Sequence, residues 1–126
     1  MNTTEQTKTE KPEISIVIPV YNERESLVLL DEQITKHMKP LNKDYEVILV
    51  DDGSNDGSAE LIRTLKNDNP RLRFLQFGHN HGQTAAFAAG FDKARGNTII
   101  TLDADLQTSP ADIPLLLDAI KKYDVV

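Results

Sequence analysis

Four short apolar segments, each followed by a stretch with helical periodicity, occupy most of this chain. Residues 13–20 are almost continuously apolar, which is typical of a strand covered on both faces. Residues 45–50, 72–77 and 97–102 repeat the pattern with β-branched and aromatic side chains. Parallel strands that alternate with helices are joined by right-handed crossovers. The sequence therefore predicts a parallel, doubly wound, Rossmann-like α/β sheet with helices on both faces.

The intervening segments carry the periodicity and the end signals of helices. In the first of them, apolar residues recur at helical spacing: Leu27, Leu30, Ile34 and Met38. Ser26 is the expected cap of this helix and Pro40 its end. Residues 83–95 are predicted to form a helix that lies close to the sheet because its inward face is small. That face comprises Ala85, Ala86, Ala88, Ala89 and Gly90, with Phe87 and Phe91.

Length and composition restrict the number of domains and the classes of partner. The 126 residues suffice for one domain, and the formal charge of −6 argues against a nucleic-acid partner. There is no cysteine, which excludes disulfides and thiolate metal sites. Residues 1–12 are polar and are expected to form a disordered tail, whereas residues 13–126 form the domain. A fifth strand is expected to begin at Tyr123, so the domain is expected to continue beyond these residues.

Two carboxylates leave the fourth predicted strand at its carboxyl end, in the sequence Asp103-Ala104-Asp105. In an open α/β sheet, ligands bind in the crevice beyond the strand ends. Neighbouring carboxylates repel each other when partly desolvated, and a divalent cation would remove this cost. Oxygen ligands from Asp103, Asp105 and the Gln107 amide suit Mg²⁺ or Mn²⁺, which could in turn hold a diphosphate. The alternative is that Asp103 caps the strand and Asp105 lies in solvent.

Polar side chains also follow the first two predicted strands. Asn22 and Glu23 follow the first, and Asp51 and Asp52 follow the second. The carboxyl ends of parallel strands meet at one sheet edge, so all three groups are expected to converge on a ligand with a ring, hydroxyls and a diphosphate. The alternatives are a capped turn before the second helix and a lead-in to the first helix.

Several other classes of site lack their motifs. No G-x-G-x-x-G follows the first predicted strand and no G-K-[ST] occurs, so dinucleotide and P-loop sites are excluded. A nucleotidyltransferase would need a basic or glycine-rich triphosphate loop near the first strand, and this sequence has none there. A signalling receiver domain would carry its acid pair after that strand, whereas here the acid pairs follow the second and fourth. His79 and His81 are interpreted as polar loop residues rather than metal ligands.

Four motifs, in this order, resemble those of the family 2 glycosyltransferases, which are inverting enzymes of the GT-A type. They are Ile16-Val17-Ile18-Pro19-Val20-Tyr21-Asn22-Glu23, Val50-Asp51-Asp52-Gly53-Ser54-Asn55-Asp56-Gly57-Ser58, Asn80-x-Gly82 and Leu102-Asp103-Ala104-Asp105-Leu106-Gln107. The last is most similar to the polyprenyl-phosphate branch, which includes dolichol-phosphate mannose synthases and undecaprenyl-phosphate sugar transferases. One departure is His79-Asn80-His81-Gly82-Gln83, where many relatives carry Arg-Asn-x-Gly-Lys.

The resemblance implies roles for individual residues. Nucleotide-binding roles fall on Pro19, Val20, Tyr21, Glu23, Asp51, Asp52, Gly82, Asp103 and Ala104. Within this set, Asp51 and Asp52 would contact the base and the ribose. Asp103, Asp105 and Gln107 would hold Mg²⁺ or Mn²⁺ on the diphosphate, and Asp105 would be the catalytic residue.

The resemblance also implies an activity: transfer of a hexose, with inversion, from a UDP- or GDP-sugar to a polyprenyl phosphate in the cytoplasm or at the cytoplasmic face of a membrane. A family 2 transferase with a glycan or protein acceptor is one alternative, and a non-catalytic sugar-nucleotide-binding module is another. A homo-oligomer is compatible with each. The acceptor side and membrane-anchoring helices are expected beyond Val126, so we expect weak donor binding and little transferase activity from these residues alone.

Overall fold

The computed structural model describes residues 11–106 and 109–123. Within these residues four strands form one parallel sheet: β1 (Ile14–Val20), β2 (Tyr45–Asp51), β3 (Leu72–Gln76) and β4 (Thr98–Thr101). Their order across the sheet is β3-β2-β1-β4, so β1 and β2 are central. The parallel α/β architecture predicted from the sequence is confirmed. The expected fifth strand and most of the N-terminal tail fall outside the described residues.

The described helices follow the strands in regular alternation: α1 (Arg24–Met38), α2 (Ser58–Asp68), α3 (Gln83–Lys93) and α4 (Ile113–Tyr123). Short 3-10 helices, Lys39–Leu41 and Pro110–Asp112, follow α1 and precede α4. Helices α1, α2 and α4 pack on one face of the sheet, and α3 packs on the other. In the part of the chain that the structure describes, no helix has both the length and the apolar character needed to cross a membrane.

The alternation of side chains along β1 and β2 divides the core into two layers. In β1, Ile14, Ile16, Ile18 and Val20 point towards α1 and α2. Val17 points the other way, to the layer that contains Ala86 of α3. In β2, Tyr45, Val47 and Leu49 belong to the first layer, and Ile48 and Val50 to the second. Both faces of the central strands are therefore covered, which explains their nearly continuous apolar sequence.

Helix α3 lies very close to the sheet, as predicted, because it carries a glycine at the point of contact. A Cβ atom on Gly90 would overlap the Cγ1 of Val17. The predicted inward face was too wide, however. Ala86 and Gly90, one turn apart, are buried, whereas Ala88 and Phe91 are exposed. Residues 88 and 91 lie on the opposite side of a helix with 3.6 residues per turn, so a face that included them is geometrically excluded.

The start of α1 also differs from the prediction. The helix begins at Arg24 with Glu23 at the N-cap position, so Ser26 lies within the first turn and is not the cap. The Ser26 amide bonds to the Glu23 carbonyl at 3.0 Å. A contact distant in sequence fixes this earlier start, because the Arg24 amide donates to Asp56 Oδ2 at 3.1 Å. The predicted buried residues of α1 are confirmed.

A buried carboxylate at the amino-terminal edge of the sheet joins β1, β2, β3 and the segment after α3. The Glu46 side chain is 4% exposed. Ser15 Oγ donates to Glu46 Oε2 at 2.6 Å, and Arg73 Nη1 donates to Oε1 at 2.7 Å. Arg95 donates through its amide at 2.8 Å and through Nη2 at 3.0 Å. These bonds offset the cost of removing the charge from water.

Replacing Glu46 by glutamine is expected to lower the free energy of unfolding by about 2–3 kcal/mol, because charge-assisted bonds to two arginines are lost in a buried position. Glu13→Gln is the matched control. Its pair with Lys43, at 3.8 Å, joins side chains that are about half exposed. Loss of such a pair is expected to cost less than about 0.5 kcal/mol. Urea unfolding measures the free energy of unfolding of both variants. An equal loss in the two would contradict the conclusion that the buried Glu46 carboxylate stabilises the fold.

The same cluster makes the stability depend on pH. Burial acts to raise the pKa of Glu46, but hydrogen bonds from Ser15 and the two arginines outweigh it and hold the pKa below the ordinary value of 4.5. A lowered folded-state pKa stabilises the protein above the unfolded-state pKa, and this stabilisation is lost as the pH falls through the folded-state pKa. The difference between wild type and Glu46→Gln should therefore shrink at about pH 3 relative to about pH 7.

Candidate functional site

A well-formed cleft lies where the strand order reverses, beyond the carboxyl ends of β1 and β4. Its volume is about 270 Å³, and the described residues that line it are Pro19, Val20, Tyr21, Glu23, Asp52, Asn80, Gly82, Gln83, Asp103, Ala104 and Asp105. In open α/β sheets a crevice at such a reversal is the usual ligand site. Of the three polar groups that follow β1, β2 and β4, Glu23, Asp52, Asp103 and Asp105 line the cleft, whereas Asn22 and Asp51 are not among the described residues that line it.

The end of β1 opens this cleft because Pro19 cannot donate a hydrogen bond. Pairing with β4 runs only from Ile14 to Val17, and the Leu102 amide closes it by donating to the Val17 carbonyl at 3.2 Å. The backbone of Pro19 faces β4, like that of Val17 two residues earlier, and it has no N–H to donate. No backbone hydrogen bond is therefore lost when β4 diverges from β1 at this point. On the β2 side, pairing continues to Val20, one residue past Pro19.

Asp51 and Asp52 point to opposite faces of the sheet because successive side chains in a strand alternate. Asp51 continues the series of Tyr45, Val47 and Leu49, on the α1 and α2 side. Asp52 continues the series of Ile48 and Val50, on the α3 side. Only Asp52 is among the residues that line the cleft. The two neighbouring acids therefore occupy different environments.

Asp52 accepts hydrogen bonds from the loop that precedes α3. Its Oδ1 accepts from the His81 amide at 2.6 Å, and its Oδ2 accepts from the Gly82 amide at 2.9 Å and from Asn80 Nδ2 at 2.9 Å. The Asp52 carbonyl also accepts from Asn80 Nδ2, at 3.3 Å. Asp52 is 3% exposed. Both of its carboxylate oxygens are thus engaged by the protein.

Asp51 has an unused acceptor. The side chain is fully buried, and Oδ2 accepts only a long bond, 3.3 Å, from the Ser54 amide. Among the residues that the structure describes, none donates a hydrogen bond to Oδ1. A buried carboxylate oxygen without a partner is costly and uncommon in native proteins. An additional donor at this position would stabilise the structure.

The loops after β1 and β2 are fastened to each other at the rim of the cleft. The Asn22 amide donates to Ser54 Oγ at 2.8 Å, and the Asn55 amide donates back to Asn22 Oδ1 at 2.9 Å. Asn22 adopts a left-handed conformation, with φ of 54°, which asparagine tolerates better than most residues. These two hydrogen bonds set the direction in which the chain leaves Val20 and so place Tyr21 and Glu23 at the cleft.

Asp56, just before α2, also connects the loop after β2 to the start of α1. It accepts from Ser58 Oγ at 2.6 Å and from the Ser58 amide at 3.0 Å, in addition to the Arg24 amide. Burial acts to raise the pKa of Asp56, but these hydrogen bonds outweigh it and lower the pKa. The capped turn that the sequence offered as an alternative reading of this loop is thus present. It coexists with the cleft and does not replace it.

The segment after β4 brings two carboxylates to the cleft on either side of a buried alanine. Ala104 is buried, whereas Asp103 is partly exposed and Asp105 is exposed. Leu106 follows with a φ of 66° and packs against the core. None of the described residues that line the cleft is basic, and four are acidic. An anionic ligand would therefore be repelled here unless a cation accompanied it.

The described residues contain no group of three or more histidine, cysteine, aspartate or glutamate side chains arranged to hold a metal ion. Asp103 and Asp105 together still fit a Mg²⁺ or Mn²⁺ site, because these ions commonly bind through one or two carboxylates and take their other ligands from phosphate and water. The third predicted ligand, Gln107, lies outside the described residues. The rings of His79 and His81 contact each other, with centroids 4.2 Å apart and their planes tilted by 37°.

Two residues at the cleft, Asn80 and Gln83, were not predicted as site residues. The motif Asn80-x-Gly82 was noted, and it follows β3 at the same edge of the sheet, so the sequence did contain a signal for Asn80. Gln83 is the first residue of α3, and only the position of that helix brings it to the cleft. All the predicted nucleotide-binding residues except Asp51 line the cleft.

Comparison with known sequences identifies a family. A family model described as glycosyl transferase family 2 matches residues 15–126. An undecaprenyl-phosphate 4-deoxy-4-formamido-L-arabinose transferase of Aeromonas hydrophila is 50% identical over 115 residues, which are 90% of this chain and 35% of that protein. The transferase of the same name from Proteus mirabilis is 49% identical over 116 residues, with the same coverage. The chain thus spans about a third of the length of these curated relatives.

Solved structures with the same fold include two complexes with nucleotide sugars. The mannosyltransferase PcManGT from Pyrobaculum calidifontis, in complex with GDP-Man and Mn²⁺, has a TM-score of 0.73 and 26% identity, over 88% of this chain and 32% of that one. S. aureus TarS 1-349, in complex with UDP-GlcNAc, has a TM-score of 0.72 and 21% identity, over 89% and 32%. The predicted GT-A-like fold is confirmed. With a family model that covers almost the whole described domain, this chain belongs to glycosyl transferase family 2.

Proposed function

We propose that this chain forms the donor-binding part of a metal-dependent glycosyltransferase that moves a sugar from a nucleotide-diphosphate sugar to a polyprenyl phosphate, specifically undecaprenyl phosphate. The observation that carries the proposal is the pair Asp103 and Asp105 at the reversal of strand order, in a cleft whose described lining residues include no basic side chain. The names of the curated relatives support the acceptor. They name an arabinose derivative, a pentose, so we propose a sugar of this class in place of the expected hexose.

The proposed donor site uses the residues that the structure brings together. Pro19 in β1, together with Tyr21 and Glu23 just after that strand, lines the cleft and holds the nucleotide. Asp51 does not line the cleft, but its unused oxygen supports the contact with the base that the resemblance implies, and we propose this contact as part of the site. Asp103 and Asp105, with Gln107, hold the divalent ion. When bound there, Mg²⁺ or Mn²⁺ would neutralise the charge that develops on the leaving diphosphate.

The proposed reaction is a single displacement. A phosphate oxygen of the lipid bonds to the anomeric carbon as the bond from that carbon to the diphosphate breaks, and the electron pair leaves with the nucleoside diphosphate. The configuration at the anomeric carbon is inverted. The nucleophile is already an anion at neutral pH, so little help from a general base is needed. Asp105 is the residue that we propose to act closest to the reacting diphosphate.

A lipid phosphate acceptor places the reaction at a membrane surface, and we propose its cytoplasmic face. The acceptor would bind outside the residues present here, since the relatives are about three times longer than the matched region. The 126 residues alone are therefore expected to bind the donor weakly and to transfer little sugar.

Calorimetric titration of UDP and of GDP, each with Mn²⁺ and with EDTA, tests the donor site and names the base. We expect one nucleotide to bind in the presence of Mn²⁺ and binding to weaken by at least about tenfold in EDTA. The same titration on a longer protein that includes the acceptor part is the companion experiment. Absence of nucleotide binding in both, from folded protein, would contradict the proposed function.

A further inference from the structure

Asp52 was expected, from the resemblance, to contact the ribose of the donor. Its surroundings indicate a different use. Three N–H groups of the segment Asn80–Gly82 converge on its two oxygens, at 2.6 to 2.9 Å. A carboxylate can accept about four hydrogen bonds. With three taken by the protein and 3% of the residue exposed, little of Asp52 remains available to a ligand.

The segment that Asp52 holds is a wall of the cleft. Asn80, Gly82 and the first residue of α3, Gln83, line the cleft together with residues from the end of β1. This wall has little support of its own. His79, Asn80 and His81 are exposed, and Gly82 has a φ of 102°, a conformation that L side chains rarely adopt. Without external bonds such a segment is expected to sample several conformations.

A second feature brings the same wall to the same place. Gly53, next to Asp52, meets the backbone of His79 and Asn80 so closely that a Cβ atom there would overlap it. The chain after β2 therefore contacts the wall in two ways. Gly53 allows the two backbones to approach closely, and the Asp52 carboxylate accepts hydrogen bonds from the N–H groups of the wall. Neither Asp56 nor Ser54, in the same loop, bonds to the wall in the described hydrogen bonds.

We propose that Asp52 is a positioning residue. It fixes the wall of residues 79–83 in the conformation that admits the donor, and it acts on the donor through this wall instead of touching it. The proposal rests on the proposed function for the identity of the ligand, but its structural part concerns the ligand-free protein and can be tested without any ligand.

The test is amide hydrogen exchange of the ligand-free protein, measured by NMR for wild type and Asp52→Asn. Asparagine has nearly the same shape but loses the charge and presents an NH₂ group to the N–H donors. The His81 and Gly82 amides are expected to exchange at least about tenfold faster, beyond any change in global stability measured by urea unfolding. Asp56→Asn is the matched control in the same loop, and it is expected to leave these two amides unchanged.

Nucleotide titration of the same proteins separates the two possible roles. If Asp52 positions the wall, Asp52→Asn weakens nucleotide binding and loosens the wall together. Weaker binding with exchange of His81 and Gly82 within about twofold of wild type would overturn the proposal in favour of direct contact. If neither these residues nor the longer protein binds nucleotide as wild type, the proposed function fails, while the exchange data still decide whether Asp52 holds the wall.

A second variant keeps the test decisive if Asp52→Asn does not fold. Asn80→Ala removes one donor from the wall and leaves Asp52 in place. It is expected to speed exchange of the His81 and Gly82 amides by about threefold to tenfold, because one of three bonds to the carboxylate is lost. Unchanged exchange in this variant would also overturn the proposal.

Discussion

Replacing Asp103 and Asp105 together by asparagine is expected to remove the metal-dependent part of nucleotide binding, a loss of at least about tenfold in affinity in the presence of Mn²⁺ that matches the effect of EDTA on wild type. The physical reason is electrostatic. The cleft contains acidic residues and, among those described, no basic ones, so a diphosphate can be held there only with a cation. Asparagine keeps the size of aspartate but is a much weaker ligand for a hard divalent ion.

The control for this prediction is Asp68→Asn/Asp92→Asn, which changes the net charge by the same amount. Both residues are exposed near the carboxyl ends of helices α2 and α3, at the edge of the sheet away from the cleft. This variant should bind nucleotide like wild type. Calorimetry with Mn²⁺ and with EDTA measures each protein. If the Asp103/Asp105 variant retained a Mn²⁺-dependent increase in affinity, the metal would be held elsewhere and the assignment of these two ligands would be wrong.

Replacing Gly53 by alanine is expected to destabilise the protein by about 3–5 kcal/mol and to disorder the wall of residues 79–83. Two costs add at this position. Gly53 has a φ of 78°, which strains any L side chain, and its Cβ would overlap the backbone of His79 and Asn80. The obstacle is backbone, so no change of rotamer can relieve it. The loops after β2 and β3 must move apart, and the cleft must open on that side.

Gly78→Ala provides a nearby comparison for the Gly53 variant. Gly78 precedes the same wall by one residue, its φ is not positive, and a Cβ there would meet nothing within 4 Å. A change of less than about 0.5 kcal/mol is expected for it. Urea unfolding measures the stability of both variants, and nucleotide titration reports on the cleft. Wild-type stability of Gly53→Ala would mean that the loops tolerate separation and that the close approach is not required.

The general architecture was predictable because it depends on periodicity. Apolar residues at helical spacing placed Leu27, Leu30 and Ile34 in the core, and all three are buried. The β-branched runs of β1 and β2 predicted strands covered on both faces, which the two core layers confirm. Such patterns report burial directly, since each element must turn its apolar face inward.

Details that depend on contacts between distant segments were predicted less well. The cap of α1 was assigned to Ser26, but the amide of Arg24 bonds to Asp56, 32 residues away, and the helix starts earlier. The predicted face of α3 was too wide because a small residue such as Ala88 is compatible with either side of a helix. Its orientation is set by Gly90 against Val17, a contact that composition cannot reveal.

By itself, the sequence determined the order of strands and helices, the sheet edge at which the polar motifs gather and, through the motifs, the family. These follow from local periodicity and from the rule that parallel strands end at one edge. Only the tertiary structure decided how two adjacent acids divide their roles, because the alternation of side chains along β2 sends Asp51 towards α1 and Asp52 towards the loop before α3. Identical carboxylates thus acquire different partners: one keeps an oxygen unused, and the other holds a wall of the cleft.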